Sequence, residues 1–332
     1  MDMVLLLTVL IVIFAIIFDF INGFHDTANS IATAVSTKAL TPRRAIMLAA
    51  IMNFVGAMAF TGVAKTITKD IVDPFALDNG SVVILAALLA AITWNLLTWY
   101  YGIPSSSSHA LIGSIAGAAI AGAGFAALNY SGFLAILQAL IFSPILALVV
   151  GYLMYSVFKI VFKDHNLTKT NKNFRLIQIA TAALQSFSHG TNDAQKAMGI
   201  ITLALIVNNY QSSDDIQLWV QATCALAMAL GTSVGGWRII KTVGGKIMKI
   251  RPVNGVAADL TGAAVIFGAT LIHLPVSTTH VISSSIMGVG AAHRVKGVQW
   301  GTAKTMLITW VITMPISAML AAVFYFLLNL VL

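Results

Sequence analysis

Long apolar segments, most of them about 20 residues in length, run through nearly all of this chain of 332 residues. Only 9% of the residues are charged, against about 25% in soluble globular domains. A protein with so few charged residues does not have enough of them to cover a surface that faces water. A helix of about 20 apolar residues, in contrast, is long enough to cross the hydrocarbon core of a bilayer. We therefore expect an all-α polytopic membrane protein in contact with a lipid bilayer. A soluble enzyme and a nucleic-acid-binding protein are excluded.

Ten candidate spans follow from the apolar segments. Two of them, 105–126 and 276–292, are rich in Gly, Ser and Thr and begin directly after a proline, which predicts half-helices or re-entrant hairpins. The polar stretches 22–30 and 189–196 interrupt apolar segments and predict broken helices, because irregular backbone at this depth must be buried in protein or line a cavity. The candidates are 3–21 with a continuation to about 35, 44–64, 81–101, 105–126, 133–158, 174–207, 216–237, 255–273, 276–292 and 301–331.

The charges of the connecting loops predict the orientation in the membrane. Basic residues dominate loops 36–44, 159–175 and 238–251, whereas loop 208–215 carries two aspartates and no basic residue. Cytoplasmic loops of membrane proteins carry the excess of Lys and Arg. We therefore expect a multi-pass protein of the plasma membrane with an even number of passes and both termini on the extracellular side.

Two polar motifs occur twice in the same order. Asp26 and Asp193 lie in similar motifs 167 residues apart, and Pro-Ser-Ser-Ser-Ser-His at 104–109 and Pro-Val-Ser-Thr-Thr-His at 275–280 are 171 residues apart. Corresponding loops of the two halves differ in charge, so the positive-inside rule gives the halves opposite orientations. Inverted repeats with broken helices are typical of secondary transporters, with the substrate near the midplane. The predicted first repeat is 1–158, the cytoplasmic linker 159–175 and the second repeat 176–332.

Polar residues line one face of the first predicted span. Four of them, from Asp19 to Asn29, are spaced by 3, 4 and 3 residues, which places them on one helical stripe. Ionisable groups at membrane depth usually mark ion or substrate paths; Asp and Asn oxygens suit Na⁺, and Asp or His can carry a proton. The alternative is hydrogen bonding between helices, with Asp193 and Lys196 as a neutralising pair. The candidate coupling residues are Asp26, Asn22, Asn29, Asp193, Asn192, His25, His189 and Lys196. If the ion is Na⁺, its candidate ligands are Asp26, Asn29 and Asp193.

Hydroxyl residues follow the proline in both copies of the second motif. Each run opens an apolar helix, and a helix N-terminus offers free N–H groups and a positive dipole end to an anion. Two such ends facing each other would surround a tetrahedral oxyanion. The alternative is N-capping, a common role of Ser and Thr at this position. The candidate anion-binding residues are Ser105, Ser106, Ser107, Ser277, Thr278 and Thr279.

Together, these motifs resemble the duplicated signature of the inorganic phosphate transporter (PiT) family, roughly Gly-Ala-Asn-Asp-Val-Ala-Asn. The resemblance covers essentially the whole chain and is closest to the compact bacterial members. It implies a phosphate symporter without a cofactor, a homodimer and an elevator-like motion. The matching segments are 23–29, 104–109, 190–196, 231–238 and 275–280.

Three residues depart from that signature. His25 replaces the usual Asn in copy one, and Gln195-Lys196 replaces Ala-Asn in copy two. A lysine at position 196 removes one Na⁺ ligand and adds a fixed positive charge. These variants resemble bacterial members that are coupled to protons and can also take neutral metal–phosphate complexes. We therefore expect H⁺-coupled phosphate import, with Na⁺-coupled phosphate symport as the alternative.

Three other functions are considered. A sulfate permease could use the same anion cage, although an ionised aspartate near the anion favours phosphate, which keeps a P–OH donor. A passive anion channel would not need paired buried carboxylates. An intramembrane hydrolase using Ser107 or Ser108 would need one asymmetric site with a base and an oxyanion hole. Because the serine motif is duplicated, we do not expect an enzyme.

Overall fold

The computed structural model describes residues 3–73, 79–163 and 167–332. Within these ranges the chain forms α-helices joined by short connections, with two short 3₁₀ turns and a single β-bridge between Val72 and Leu128. The helices are α1 (Met3–Ser36), α2 (Pro42–Ala57), α3 (Gly62–Asp70), α4 (Gly80–Tyr101), α5 (Ser107–Ala123), α6 (Tyr130–Val161), α7 (Leu167–Val207), α8 (Leu218–Val234), α9 (Trp237–Gly245), α10 (Pro252–Leu271), α11 (Thr278–Arg294) and α12 (Trp300–Asn329).

The prediction of an all-α polytopic membrane protein is confirmed. Among the described residues, α1, α4, α6, α10 and α12 are each long and apolar enough to cross a bilayer. Helices α2 and α3 pass the same test together but are bent by 67°. The predicted span 44–64 is therefore a bent pair and not one straight helix, since α2 ends at Ala57 and α3 begins at Gly62.

The predicted helix breaks at 22–30 and 189–196 are wrong. Both stretches continue as regular helix within α1 and α7. Several of their polar side chains bond to the hairpin tips while the main chain stays helical. The irregular backbone lies instead at the tips of two helical hairpins, at 102–106 between α4 and α5 and at 272–277 between α10 and α11. The hairpins themselves match the prediction from the two proline-led motifs.

The helices of the two halves pack in corresponding pairs. Helix α1 packs on α8 and α2 on α7, while α5 packs on α12 and α11 on α6. Each of these contacts joins a helix of one half to a helix of the other, as expected for a duplicated unit of six helices. The assignment of two inverted repeats, and of a linker between them, stays a prediction from the loop charges; α6 and α7 extend into the predicted linker from both sides.

Close packing of α7 on α2 depends on Gly190. A Cβ built at this position would lie 2.7 Å from the Cα of Asn53, well inside van der Waals contact with main chain. We expect Gly190→Ala to force the two helices apart and to lower the free energy of unfolding by about 1–3 kcal/mol. The melting temperature of the purified protein in detergent measures this effect.

A matched control is Gly268→Ala in α10, where an added Cβ would meet no atom within 4 Å. Because alanine is the better helix former, this variant should be as stable as the wild type or more stable by about 0.5–1 kcal/mol. Equal melting temperatures for the two variants would contradict the packing argument.

Two ion pairs fasten the connection between α7 and α8 to α3. Lys69 lies 2.8 Å from Asp214, and Lys65 lies 2.6 Å from Asp215. The hydrogen bond from Lys69 lowers the pKa of the Asp214 carboxyl below its ordinary value of 3.8. A carboxyl whose pKa is lower in the folded state stabilises the fold above its unfolded pKa, and this stabilisation is lost as the pH falls through the folded pKa.

We therefore expect Asp214→Asn to cost about 0.5 kcal/mol of unfolding free energy at neutral pH, because the pair is largely solvated. The difference from the wild type should shrink as the pH is lowered below 3.8, where the unfolded carboxyl is already protonated. Melting temperatures measured across this range, at low and high salt, check the sign. A difference that grows on acidification would rule out the pair as its cause.

Candidate functional site

The tips of the two hairpins meet the middle of α1 and α7. The first residues of α5 and α11, Ser107 and Thr278, point at the carboxylates of these two long helices. All fourteen side chains predicted to bind the anion or the coupling ion are buried, with at most 1% of their surface exposed. The structure therefore brings the two duplicated motifs together at one buried, strongly polar site.

Asp26 on α1 is contacted by both hairpin tips. Ser107 donates a short hydrogen bond to one carboxylate oxygen, and Thr279 donates to the other at 3.0 Å. The adjacent His25 places Nδ1 2.6 Å from the same oxygen as Thr279. Asp26 therefore links α1 to the N-terminal turns of α5 and α11, and it has a titratable neighbour within hydrogen-bond distance.

Asp193 on α7 has a different environment. Thr278 donates to one of its oxygens at 2.8 Å, and the ammonium group of Lys196, one turn further along α7, donates to the other. His189 places Nε2 3.0 Å from the carboxylate. Because Lys196 is fully buried and bound directly to the carboxylate, the predicted neutralising pair is present, and Asp193 has its own cation.

The asparagines hold the tips from the side. Asn29 donates to the hydroxyl of Thr279 at 2.8 Å, and the amide oxygen of Asn22 lies 2.9 Å from the Ser107 hydroxyl, whose one proton it shares with Asp26. Asn192 accepts from the main-chain N–H of Val276 at 3.2 Å, at the tip of the second hairpin. The three amides therefore contact the hairpin tips and also lie near the two carboxylates.

Three of the predicted anion-binding hydroxyls have local roles in this structure. Ser106 and Ser277 are the N-caps of α5 and α11, and each accepts from the main-chain N–H three residues later, at 3.0 and 3.3 Å. Ser105 donates to Thr98 at 2.8 Å. Capping therefore accounts for two members of the set, and direct contact with the carboxylates is made by Ser107, Thr278 and Thr279.

Several buried polar atoms on α1 lack a hydrogen bond of ordinary geometry within the described residues. They are both carboxylate oxygens of Asp19, Nδ2 of Asn22 and Oδ1 of Asn29. A buried polar atom without a partner costs about 1–3 kcal/mol. Atoms of the same kind lie on other helices, among them those of Asn95 and Gln185. The four on α1 are distinguished by their place on the same stripe as Asp26, where a polar ligand or an ion would find partners.

Sequence reasoning missed two buried residues at this site and a third, Asp259, that bonds to α1 and α7 away from the hairpin tips. Thr98 and Thr270 lie just before the two tips, where Thr98 is 3.2 Å from His25 and Thr270 accepts from Asn192 at 3.2 Å. Asp259 on α10 accepts from two threonine hydroxyls, of Thr33 at 2.6 Å and Thr181 at 3.1 Å. A lone aspartate in the apolar segment 255–273 was a readable signal, because a charge at that depth is costly. The two threonines carried no such signal.

The oxygen atoms around Asp26 are the part of the site best suited to a cation. Thr279 joins the Asp26 carboxylate, to which it donates, and the Asn29 amide, from which it accepts, and the amide oxygen of Asn29 has no hydrogen bond within the described residues. Hard cations take ligands of this kind. Around Asp193 the corresponding place is filled by the lysine. The described residues contain no group of three His, Cys, Asp or Glu side chains that could hold a metal ion, so a transition-metal centre is not indicated there.

The sequence matches the family described as "Phosphate transporter family" over residues 22–321. The chain belongs to this family. It is 77% identical, over the full length of both chains, to a protein of Bacillus subtilis (strain 168) named "Probable low-affinity inorganic phosphate transporter". A protein of the same name from Rhizobium meliloti (strain 1021) is 45% identical over 92% of each chain. The family resemblance inferred from the motifs is thus confirmed.

A solved structure described as "The sodium-dependent phosphate transporter" has the same fold. The TM-score is 0.90, the sequences are 26% identical, and the match covers 98% of this chain and 100% of that chain. Membership of a transporter family also confirms the expectation that this multi-pass membrane protein is a transporter and not an enzyme. The intramembrane hydrolase is thereby excluded.

Proposed function

We propose that this chain is a secondary active symporter that imports inorganic phosphate across the plasma membrane together with protons. The observation that carries the proposal is the contact of both hairpin tips with one carboxylate, Asp26, beside a second buried carboxylate, Asp193. Secondary transporters with repeated halves bind substrate where such elements meet. The names of the relatives, which refer to phosphate, support the choice of substrate.

Phosphate binds between the N-terminal turns of α5 and α11. The hydroxyls of Ser107, Thr278 and Thr279, which now donate to carboxylates, turn to the anion, and the free N–H groups of the two helix ends add donors. Lys196 offsets part of the anion's charge. The P–OH group of phosphate donates to a carboxylate, which sulfate cannot do at neutral pH.

Proton coupling takes place at Asp26 and His25. Their direct contact provides a carboxylate and an imidazole that can share a proton, whereas Asp193 is neutralised by Lys196 without an ion from solution. Protonation beside the anion raises phosphate affinity, and bound phosphate favours protonation, because binding free energies are coupled reciprocally. Neutral metal–phosphate complexes are included in the proposal as substrates.

Alternating access follows from release of the tips. The hydrogen bonds of Asp26 and Asp193 to the two hairpins hold them on α1 and α7, and bound phosphate replaces these bonds. The hairpins then move relative to the rest of the protein in an elevator-like motion. Both termini lie outside the cell, and two copies form a dimer, as the charge pattern and the family resemblance respectively suggest.

The test is uptake of labelled phosphate into liposomes containing the purified chain. Uptake is measured under a proton gradient, under a sodium gradient and with neither, each with and without excess sulfate. We expect uptake only under the proton gradient and no inhibition by sulfate. Empty liposomes and liposomes with a protonophore are the controls.

Each other result selects a different function. Uptake driven only by sodium would favour the Na⁺ symporter, with Asp26, Asn29 and Asp193 as ligands; the description of the structural relative as sodium-dependent makes this the leading alternative. Inhibition by sulfate would favour a sulfate permease. Uptake without any gradient dependence would indicate a passive anion channel and remove the coupling role from Asp26.

A further inference from the structure

A cavity of about 720 Å³ opens on the side of the molecule, between α6 and α12. Its walls are almost entirely apolar and include Leu140 and Pro144 of α6 and Val311 and Pro315 of α12. Several wall residues are exposed on the outer surface of these helices, among them Val311 at 68%. Because α6 and α12 are spans that face lipid, this cavity opens to the hydrocarbon of the bilayer.

The inner end of the cavity lies directly behind the hairpin tips. His109 and His280, the last residues of the two hydroxyl motifs, line it together with Trp310. The His280 ring packs 4.5 Å from His109 and stacks 4.0 Å from Trp310, measured between ring centroids. The Trp310 indole also donates to the main-chain carbonyl of Pro104 at 3.4 Å. Whatever fills the cavity therefore touches the residues that hold both tips on α12.

The outer end of the cavity lies at a strongly basic edge of the protein. Exposed Lys304 and Trp300, at the start of α12, line it there. The residue before this helix, Gln299, donates to Ile247 at 2.8 Å, within the segment 246–251 that contains Lys246, Lys249 and Arg251. A lysine beside an aromatic residue is typical of the membrane–water interface, and basic residues there attract anionic headgroups.

The cavity is deep enough for one acyl chain. Its lining residues on α12 run from Trp300 to Pro315, a rise of about 22 Å, whereas half of a hydrocarbon core of about 30 Å is about 15 Å deep. The chain of a lipid with its headgroup at Lys304 would therefore pass the His280–Trp310 stack. Water would gain no hydrogen bonds along walls of this composition.

We propose that the cavity binds one anionic phospholipid, with its headgroup at Lys304 and an acyl chain between α6 and α12 that reaches the backs of the hairpin tips. The lipid completes the wall against which His109, His280 and Trp310 pack. This proposal does not depend on the transported ion or on phosphate as substrate, because it concerns a different face of the protein and is tested by lipid binding.

The test is native mass spectrometry of the purified full-length chain, after exchange into detergent containing equal amounts of phosphatidylglycerol and phosphatidylcholine. We expect one phosphatidylglycerol to be retained per chain. Ala303→Phe, which fills the cavity from its buried wall, should lower retention about tenfold. Val311→Trp fills the cavity from its exposed rim and should also lower lipid retention about tenfold, without disturbing the core. The proposal therefore stays testable if Ala303→Phe does not fold.

Matched controls come from residues outside the cavity. Gly301→Phe adds a ring where an added Cβ meets no atom within 4 Å, and should retain lipid as the wild type does. Lys304→Gln should lower the preference for phosphatidylglycerol over phosphatidylcholine about fivefold, since a basic side chain near the surface is worth about 1 kcal/mol. Lys296→Gln, an exposed residue that does not line the cavity, should leave that preference unchanged.

Three outcomes would overturn the proposal. The lipid binds elsewhere if both filled variants retain phosphatidylglycerol like the wild type. Equal retention of the two lipids by the wild type would mean that Lys304 selects no headgroup. In the third outcome, the wild type is a dimer without bound lipid and both filled variants are monomers. That result would show that a second copy of the chain occupies this face.

Discussion

Asp26→Asn is expected to lower the rate of proton-driven phosphate uptake about 100-fold, because the proposed site then lacks the carboxylate that takes up the proton; this factor corresponds to about 2.7 kcal/mol. Asparagine has nearly the shape of aspartate, and its one oxygen can still accept a hydrogen bond from Thr279. The variant has no carboxylate at position 26 to take up a proton, and His25 loses its anionic partner. The fold should therefore persist while the coupling is lost.

Liposome uptake under a proton gradient measures this effect, with the melting temperature as the check on folding. Asp214→Asn is the matched control: it makes the same chemical change in the loop before α8, far from the hairpin tips in the sequence, and should transport as the wild type does. Normal uptake by Asp26→Asn would mean that the proton is carried elsewhere. An unfolded variant would assign Asp26 a structural role.

Lys196→Asn changes the coupling ion. The substitution restores the asparagine that the family signature has at this position, and it leaves Asp193 without the ammonium group that neutralises it. Removing one partner of a buried ion pair lowers the stability of the folded protein by about 3–5 kcal/mol, unless another cation takes its place. We expect Na⁺, held by the carboxylate and the new amide oxygen, to take that place, so that uptake becomes dependent on sodium.

Two measurements check this expectation. Uptake by Lys196→Asn should respond to a sodium gradient, whereas the proposed mechanism predicts no response of the wild type. Na⁺ should raise the melting temperature of the variant alone, because a ligand stabilises the state that binds it. Lys196→Met is the control, since it removes the charge but supplies no oxygen, and should be unstable with or without sodium. Unchanged proton-driven uptake by Lys196→Asn would contradict a coupling role for this position.

The parts of this site that the sequence predicted are those that depend on spacing along one helix. Residues spaced by 3 and 4 share a helical face wherever the helix lies, so the stripe from Asn22 to Asn29 was readable. The duplication located the two tips because proline followed by hydroxyl residues and an apolar segment is a local signal for a helix start. The pairing of Asp193 with Lys196 needed only their separation of three residues.

The parts that were not predictable depend on contacts between distant segments. The local sequence around a threonine in an apolar helix is the same whether its hydroxyl forms a hydrogen bond within its own helix or with another helix. Thr98 and Thr270 could therefore not be singled out. The predicted breaks in α1 and α7 failed for a related reason. Polar residues at membrane depth are compatible with regular helix, and here several of them bond to hairpins far along the chain, which the local sequence does not show.

The lysine bound to Asp193 affects the energy that a transport cycle can use. A cation that crosses the membrane and is released contributes about 2.3 kcal/mol per 100 mV, which corresponds to about a 50-fold accumulation of substrate. An ammonium group attached to the chain returns with the carrier and contributes nothing. Under the proposed mechanism, the steepest phosphate gradient this protein can sustain is smaller by that factor than for a carrier with a mobile ion at both carboxylates. The same ion pair has an advantage: the protein without substrate carries no unpaired charge at Asp193 when it moves back across the membrane.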